Sequence, residues 1–452
     1  MRKSAAVFFV FIFLATFAQA ESKLHQNLWP PAKVKETQSG DFLRFSLYKH
    51  NGGPSSNTLL VIGGVHGDEP GGYFAASLLA THYRITKGSL WVVPNLNFES
   101  IVANRRGIYG DMNRKFARVE KKDPDYESVM GIKKVVLDPR VDLVINLHDG
   151  HGFYRERWES YIFNPRAWGQ TFVIDQKTLA QAKFGNMDEI AKRVSEKLNT
   201  NLAEDHHFFS IKNTETRYKD EEMQRSLTYF AVTNLKPAFG QETSKNIDAL
   251  AVKVEYHLRS IEEFMKLMDI EYERDFELNF DDIQRVLSEY GSLNINDNIT
   301  LNLFDLRSVL RFVPMSKEDN RFVFEHPLGA IKQVGKRYDL YIGNKHVSTL
   351  YPQFFNLDCT VNEAAFTIDG QTRQVKMGET IDVKESFRVE EGSGMRVNII
   401  GFVTPERESQ DGVWVKKGDI MSRFSQDVRA DVYRIEFYSN GAFCGMVNVR
   451  FR

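Results

Sequence analysis

Cysteine is nearly missing from this 452-residue chain, which carries only Cys359 and Cys444. Neither has a histidine close by to act as its base, which argues against a thiol nucleophile. The pair is compatible with one disulfide or with two buried thiols. An excess of charge of one sign is also missing: 59 Lys and Arg face 60 Asp and Glu, a net charge of −1. There is no long basic run interleaved with aromatics, so nucleic acid is not an expected partner. Internal repeats and low-complexity linkers are absent as well. No apolar run reaches the ~20 residues that cross a bilayer. The longest candidate, from Ala5 to Phe17, follows Arg2 and Lys3 and precedes Ala18-Gln19-Ala20. That is the layout of a cleavable signal peptide over residues 1–20, which predicts a periplasmic mature protein from Glu21 with no membrane insertion after cleavage. No cysteine follows the cleavage site, so a lipoprotein is not indicated.

What is present is a folding chain. Hydrophobic residues make up 42% and charged residues 26%, which excludes disorder, and the length predicts two or three domains. Short apolar runs at Thr58–Gly63, Leu90–Pro94, Val141–Leu147 and Pro237–Gln241 read as buried strands. Between them, Gly71–Tyr83, Thr178–Leu198 and Asn246–Met268 have helical spacing. In the last, Leu250, Val254, Leu258, Ile261, Met265 and Met268 form the stripe a helix buries against a sheet. The prediction is an α/β domain over 21–272, an open mixed sheet flanked by helices. After about Arg274 the pattern turns to short alternating segments, among them Leu301–Leu303, Phe322–Phe324, Tyr338–Ile342, Ala365–Ile368, Met395–Val403 and Tyr433–Tyr438. Asp369-Gly370 and Asn440-Gly441 mark hairpin turns. Two small mostly-β domains are expected, at 273–355 and 356–452.

The chemistry concentrates where strands end. Val61-Ile-Gly-Gly-Val-His-Gly-Asp-Glu-Pro70 delivers His66 and Glu69 side by side, and His148 ends the run Val141–Leu147. Imidazole and carboxylate suit zinc, and a catalytic site needs three protein ligands with one position left for water. In an open α/β sheet such groups gather at the carboxyl ends of parallel strands. His151 is close in sequence but lies off the strand end. Glu242, in Phe239-Gly-Gln-Glu-Thr-Ser244, is the candidate base for water. In Ala103–Phe116, Asn113 with Arg114 makes a sensible clamp for a terminal carboxylate, and Arg105 or Arg106 could stabilise an oxyanion.

The ordered set His66-x-x-Glu69, Asp111-x-Asn113-Arg114, His148 and Glu242 resembles the zinc carboxypeptidases related to carboxypeptidase A. The resemblance implies one catalytic Zn2+ held by His66, Glu69 and His148, with Glu242 as base and proton shuttle. It further implies Asn113 and Arg114 on the terminal carboxylate, Arg106 on the oxyanion, and Asp111 orienting His66. Those enzymes often use a mobile tyrosine, for which Tyr218 and Tyr229 are both open. An exported α/β domain followed by two β domains is most similar to the cell-shape-determining D,L-carboxypeptidases of helical and curved Gram-negative bacteria. That likeness implies trimming of the peptidoglycan tripeptide L-Ala-γ-D-Glu-meso-diaminopimelate to a dipeptide, with Trp168 and Thr228 touching the released residue. It also leaves room for wall-associated protein partners on the β domains. Two other readings stand beside it. One is a zinc deacylase of N-acyl amino acids, like aspartoacylase or succinylglutamate desuccinylase. The other is a non-catalytic wall-binding protein that retains a metal.

Overall fold

The computed structural model describes residues 35–38, 44–392, 394–404 and 407–452; the expected signal peptide lies outside them. An eight-stranded mixed sheet organises the first part of the chain. Its strands are β1 (Tyr48–Asn51), β2 (Gly53–Ile62), β3 (Tyr83–Val93), β4 (Leu143–Gly150), β5 (Thr171–Ile174), β6 (Ser210–Asn213), β7 (Ala238–Ser244) and β8 (Glu271–Arg274). In space they run β8-β3-β2-β4-β7-β5-β6, with β1 also paired to β3. The central members β3, β2, β4 and β7 are parallel. β5, by contrast, is antiparallel to β7, and β8 and β1 are antiparallel to β3. Leu59 to Ile62 and Val144 to Ile145 are fully buried, as expected of central strands covered on both faces.

The covering helices include α1 (Pro70–Thr81), α2 (Tyr126–Val136), α3 (Met187–Leu198), α4 (Leu227–Thr233) and α5 (Leu250–Leu267). In α5 the predicted stripe is buried at Val254, Leu258, Ile261 and Met265. Two helices are shorter than their spacing predicts. The segment before α3 is a closed turn in which Leu179 N–H donates to Gly185 O at 2.8 Å. A Cβ on Gly185 would lie 2.0 Å from Leu179 O, so the turn depends on that glycine, and α3 starts only after it, with Asp188 and Glu189 in its first turn. Residues 246–249 likewise stay outside α5.

The strands carrying the predicted chemistry are longer than their apolar runs. β4 continues through His148 to Gly150 and β7 through Glu242 to Ser244, so both side chains lie within the ladder. The apolar run stops where the sheet ceases to be covered by core and begins to wall a cavity.

The rest of the described chain is β-rich. Ser292–Ile295, Ile299–Asn302 and Arg321–Phe324 form a four-stranded sheet with Lys35–Gln38, and Val309–Met315, Gly329–Val334, Arg337–Ile342 and Lys345–Phe354 form another. A three-stranded and a four-stranded sheet follow between Glu363 and Phe451, and many of their buried residues gather in a second apolar cluster. Both predicted hairpin turns have positive φ at their two central residues: 47° and 86° at Asp369-Gly370, and 49° and 80° at Asn440-Gly441. That is the type I′ pattern. Met395–Val403 shortens to a strand at Arg396–Ile399. Among the described residues, no helix is long and apolar enough to cross a membrane.

Cys359 and Cys444 are joined in a disulfide that closes a separation of 85 residues. A loop of that size restrains the unfolded chain by about 4–5 kcal/mol on the chain-entropy account. Cys359→Ser should therefore lower the denaturation midpoint of the C-terminal sheets while leaving metal content unchanged, as read by denaturant titration beside metal analysis.

Candidate active site

The loop leaving β2 turns at once, because Gly64 has φ of +74° and a Cβ on Gly67 would lie 2.0 Å from Ser100 O. Glu69 is the residue capping α1, with Pro70 just inside the helix. This brings His66 and Glu69 over the end of β4. Glu69 Oε1 lies 2.9 Å from His66 Nδ1, Glu69 Oε2 lies 2.9 Å from His148 Nδ1, and the two Nδ1 atoms are 3.3 Å apart. All three residues are at most 5% exposed. Three ligand atoms thus converge on one point.

The far side of each imidazole is held. His66 Nε2 meets Asp111 Oδ1 at 2.9 Å, and Asp111 Oδ2 accepts from Arg106 Nε at 3.0 Å. His148 Nε2 lies 2.7 Å from the Asn146 side-chain amide, whose other polar atom is buried without a partner. With its oxygen turned to the ring, Asn146 accepts the Nε2 proton and leaves the Nδ1 lone pair facing Glu69 and His66. Two imidazoles and a carboxylate, each oriented from behind, fit a divalent metal ion. Glu204, His206 and His207 also cluster, but Glu204 and His206 are exposed, and Tyr256 Oη, which takes the Ala203 N–H, is placed to donate to His207 Nδ1.

Around the triad lies a cavity of about 670 Å³ including its mouth, with Arg106, Asn113, Arg114, Trp168, Thr228 and Glu242 in its wall. Asp111 stands behind His66. Of the two arginines left open by the sequence, Arg106 lines the cavity, and its Nη1 lies 3.1 Å from Glu69 Oε1. Asn113 Oδ1 accepts from Leu227 N at 3.0 Å, which commits its oxygen to the start of α4 and leaves its amide NH2 as the group it can offer. Arg114 Nη1 donates to Asn113 O at 3.1 Å. His151 is exposed at the rim; Tyr218 is 80% exposed and Tyr229 half-buried, and neither lines this cavity.

Register places Glu242 at the cavity. Glu242 pairs with His148 across the β7–β4 ladder, and Gly240 with Asn146, so residues two apart on β7 face the same cavity as the ligand strand. Burial pushes the Glu242 carboxyl well above its usual range, and Glu69 adds to the effect. Burial opposes ionisation of Glu69 too, but His66 and His148 outweigh it and hold that carboxyl well below its usual range. Two nearby carboxylates are thus driven apart, the pattern of a ligand beside a proton carrier.

Sequence reasoning missed several groups. Asp149 is fully buried behind the site, accepting from Gly71 N at 2.9 Å and Thr243 Oγ1 at 2.6 Å. Lys245 reaches Asp68 Oδ2 at 2.6 Å and lines the cavity, as do Val173 and Met223. The strand period could have found Asn146, two residues before His148; nothing local marks Met223.

A mixed sheet with a parallel centre and this site agree with the class that the family match gives, a metallo-carboxypeptidase. Residues 48–288 match the catalytic family described as a carboxypeptidase controlling helical cell shape, and residues 357–452 match the C-terminal domain of metallo-carboxypeptidase. The chain belongs to that helical-cell-shape carboxypeptidase family. It is 35% identical to the apo cell shape determinant protein Csd4 from Helicobacter pylori, with a TM-score of 0.85 over 90% of this chain and 100% of that one. The tripeptide-bound structure of the same Helicobacter pylori protein gives the same values. Its mDAP-bound form, described as a D,L-carboxypeptidase, is 35% identical over 89% of this chain and 100% of that one, at a TM-score of 0.84. No curated protein sequence matches the chain significantly.

The triad and its supports make a joint prediction. Asp111→Asn should weaken metal binding roughly 10–100-fold, measured by chelator competition. In the metal-free protein, burial lowers the His66 pKa, but Glu69 and Asp111 overcome it and raise it to about 9. A metal must displace that proton, so affinity should rise with pH up to about 9 and fall as the solution is acidified.

Proposed function

We propose that this chain is a periplasmic, zinc-dependent D,L-carboxypeptidase that removes meso-diaminopimelate from the peptidoglycan tripeptide L-Ala-γ-D-Glu-meso-diaminopimelate. The observation that carries the reading is one cavity holding His66, Glu69 and His148, Glu242 across the ladder, and the Asn113–Arg114 pair. The tripeptide and mDAP complexes of a 35% identical relative that this chain spans in full supply the substrate class. The donor set of two histidines and a glutamate favours zinc, and zinc there would polarise the scissile carbonyl and lower the pKa of water.

The chain's own groups divide the work. Arg114 and the Asn113 amide NH2 hold the terminal carboxylate, which fixes the scissile bond relative to Glu242. Glu242 takes a proton from the attacking water on its carboxylate oxygen and returns it to the leaving amine. Arg106 pivots from Glu69 and Asp111 to the oxyanion, a movement that its 47% side-chain exposure allows. Trp168 and Thr228 wall the space for the released residue. The β-rich parts at 273–355 and 356–452 position the catalytic part on the wall or on partners.

Incubation of the zinc-loaded protein with defined tri-, tetra- and pentapeptide muropeptides, followed by mass spectrometry, tests substrate and bond together. Release of diaminopimelate from the tripeptide is expected. Deacylation of small N-acyl amino acids without that release would return the chain to the deacylase reading. Glu242→Gln should keep its metal and lose activity by about 10²–10⁴-fold. Unaltered cellular function of that variant would instead mark a binding protein.

A further inference from the structure

The four strands Val309–Met315, Gly329–Val334, Arg337–Ile342 and Lys345–Phe354 make a sheet with two unlike faces. Leu310 pairs with Leu350 and Leu350 with Tyr338. All three are buried in the apolar cluster shared with the catalytic part. Val309 pairs with Thr349, Arg311 with Tyr351, Asp339 with both Thr349 and Lys332, and Tyr341 with His346. These residues alternate with the buried ones and stand on the opposite face, which Arg337, two residues from Asp339, shares. On it Arg311, Lys332, Arg337 and His346 are exposed. The four strands hold one acid, Asp339, against Arg311, Lys332, Arg337 and Lys345. That acid is 6% exposed, accepts from Thr349 Oγ1 at 2.8 Å and lies 3.3 Å from Arg337 Nε, so its charge is already engaged. The cationic excess is local, since the whole chain has a net charge of −1. Rings lie among the cations. The Arg311 guanidinium is 4.9 Å over the Tyr351 ring, and the Tyr341 and His346 rings are 5.4 Å apart. Stacking lays the guanidinium along the sheet and keeps its donor fork at the surface.

We propose that this face docks the peptidoglycan polymer, with Arg311, Lys332 and Arg337 on the free carboxylates of its stem peptides and Tyr341 and Tyr351 against its sugars. The inference rests on the wall substrate proposed above and extends it from the bond cleaved to the polymer that carries the bond. Charge complementarity selects the occupant. Each γ-linked D-Glu leaves its α-carboxylate free, so the wall presents repeated anions, and spaced guanidinium and ammonium groups answer them, the guanidinium as a bidentate fork. Tyrosine covers an apolar ring face with its own ring and keeps its hydroxyl in water. An open sheet face suits an extended polymer, whereas the catalytic cavity admits the end of one peptide. An anionic lipid surface shares the charge, but the wall is the polymer this protein must reach to act.

Cosedimentation of the full mature chain with purified, lipid-free sacculi tests the face, in the Glu242→Gln background so that the wall is not altered during the measurement. Binding is expected, and it should weaken as salt rises from about 50 to about 300 mM. Arg311→Glu with Lys332→Glu should weaken it roughly 10-fold or more. Lys192→Glu with Lys197→Glu, on α3, changes the net charge equally and should leave it unaltered. With Glu242 intact, the Arg311 and Lys332 pair should keep wild-type kcat/KM on the soluble tripeptide, which also shows that it folds, and release less diaminopimelate from sacculi. Should the reversed charges prevent folding, Arg311→Gln with Lys332→Gln decides by the same comparison. Unchanged sedimentation of that pair, or equal loss in the α3 pair, would overturn the assignment. Binding to phosphatidylglycerol vesicles and not to sacculi, lost in the same pair, would give the face to a lipid surface instead. Soluble tripeptide keeps the two readings apart. Wild type that cleaves it without sedimenting rejects the face alone, and sedimentation that depends on Arg311 and Lys332 without any cleavage rejects the reaction alone.

Discussion

The burial of Glu69 is the constraint on which the rest of the structure depends. A carboxylate 3% exposed would cost several kcal/mol if left uncompensated, so positive or protic groups must reach it from several directions. His66 comes from its own loop, His148 from β4 and Arg106 from the 103–116 segment. Behind it, Asp149 is buried as deeply and is satisfied by the α1 N-terminus, Thr243 of β7, and Lys253 and His257 of α5. These two acids tie together the loop after β2, two strands and two helices. The metal site and the scaffold are therefore one electrostatic network, and each ligand is placed by contacts that also hold the fold.

The same network separates the two carboxylates that face the cavity. Glu69 sits between two imidazoles and stays ionised, whereas Glu242 has burial and neighbouring acids acting on it, with His66 and Arg106 only partly relieving them. A pair of identical side chains thus receives different protonation behaviour from position alone. Register does this: the β7–β4 ladder sets Glu242 opposite His148.

Much of this was legible in the sequence because the informative features were local. Apolar runs marked the central parallel strands, glycines marked the turn that presents His66 and Glu69, and Asp-Gly and Asn-Gly marked two hairpins. What escaped was set by tertiary context. The edge strands β6 and β8, and β5 beside β6, are only four residues long and carry no distinctive period. Helix starts before α3 and α5 were misplaced because apolar spacing continues into segments that a glycine or a capping turn keeps out of the helix. Asp149 looks like an ordinary acid in sequence; only burial distinguishes it. The two cysteines were undecided for a similar reason, since pairing depends on a distance that separation along the chain does not fix.

The middle β sheets bear on the site through α1. Tyr73 and Phe74, in the first two turns of the helix that Glu69 caps, are fully buried. A Cβ on Gly343, in the turn before Lys345–Phe354, would lie 3.2 Å from both of their rings, and Lys345 Nζ stands 5.4 Å over the Phe74 ring. Asn95, just after β3, donates to Pro327 O at 3.2 Å and accepts from Ser46 N at 2.8 Å. One continuous apolar cluster runs from the catalytic sheet into these β strands. The sheet after residue 290 therefore backs the helix that presents a metal ligand. Loss of that backing would expose two large aromatic side chains beside Glu69, so the β-rich part helps to hold α1 against the mixed sheet.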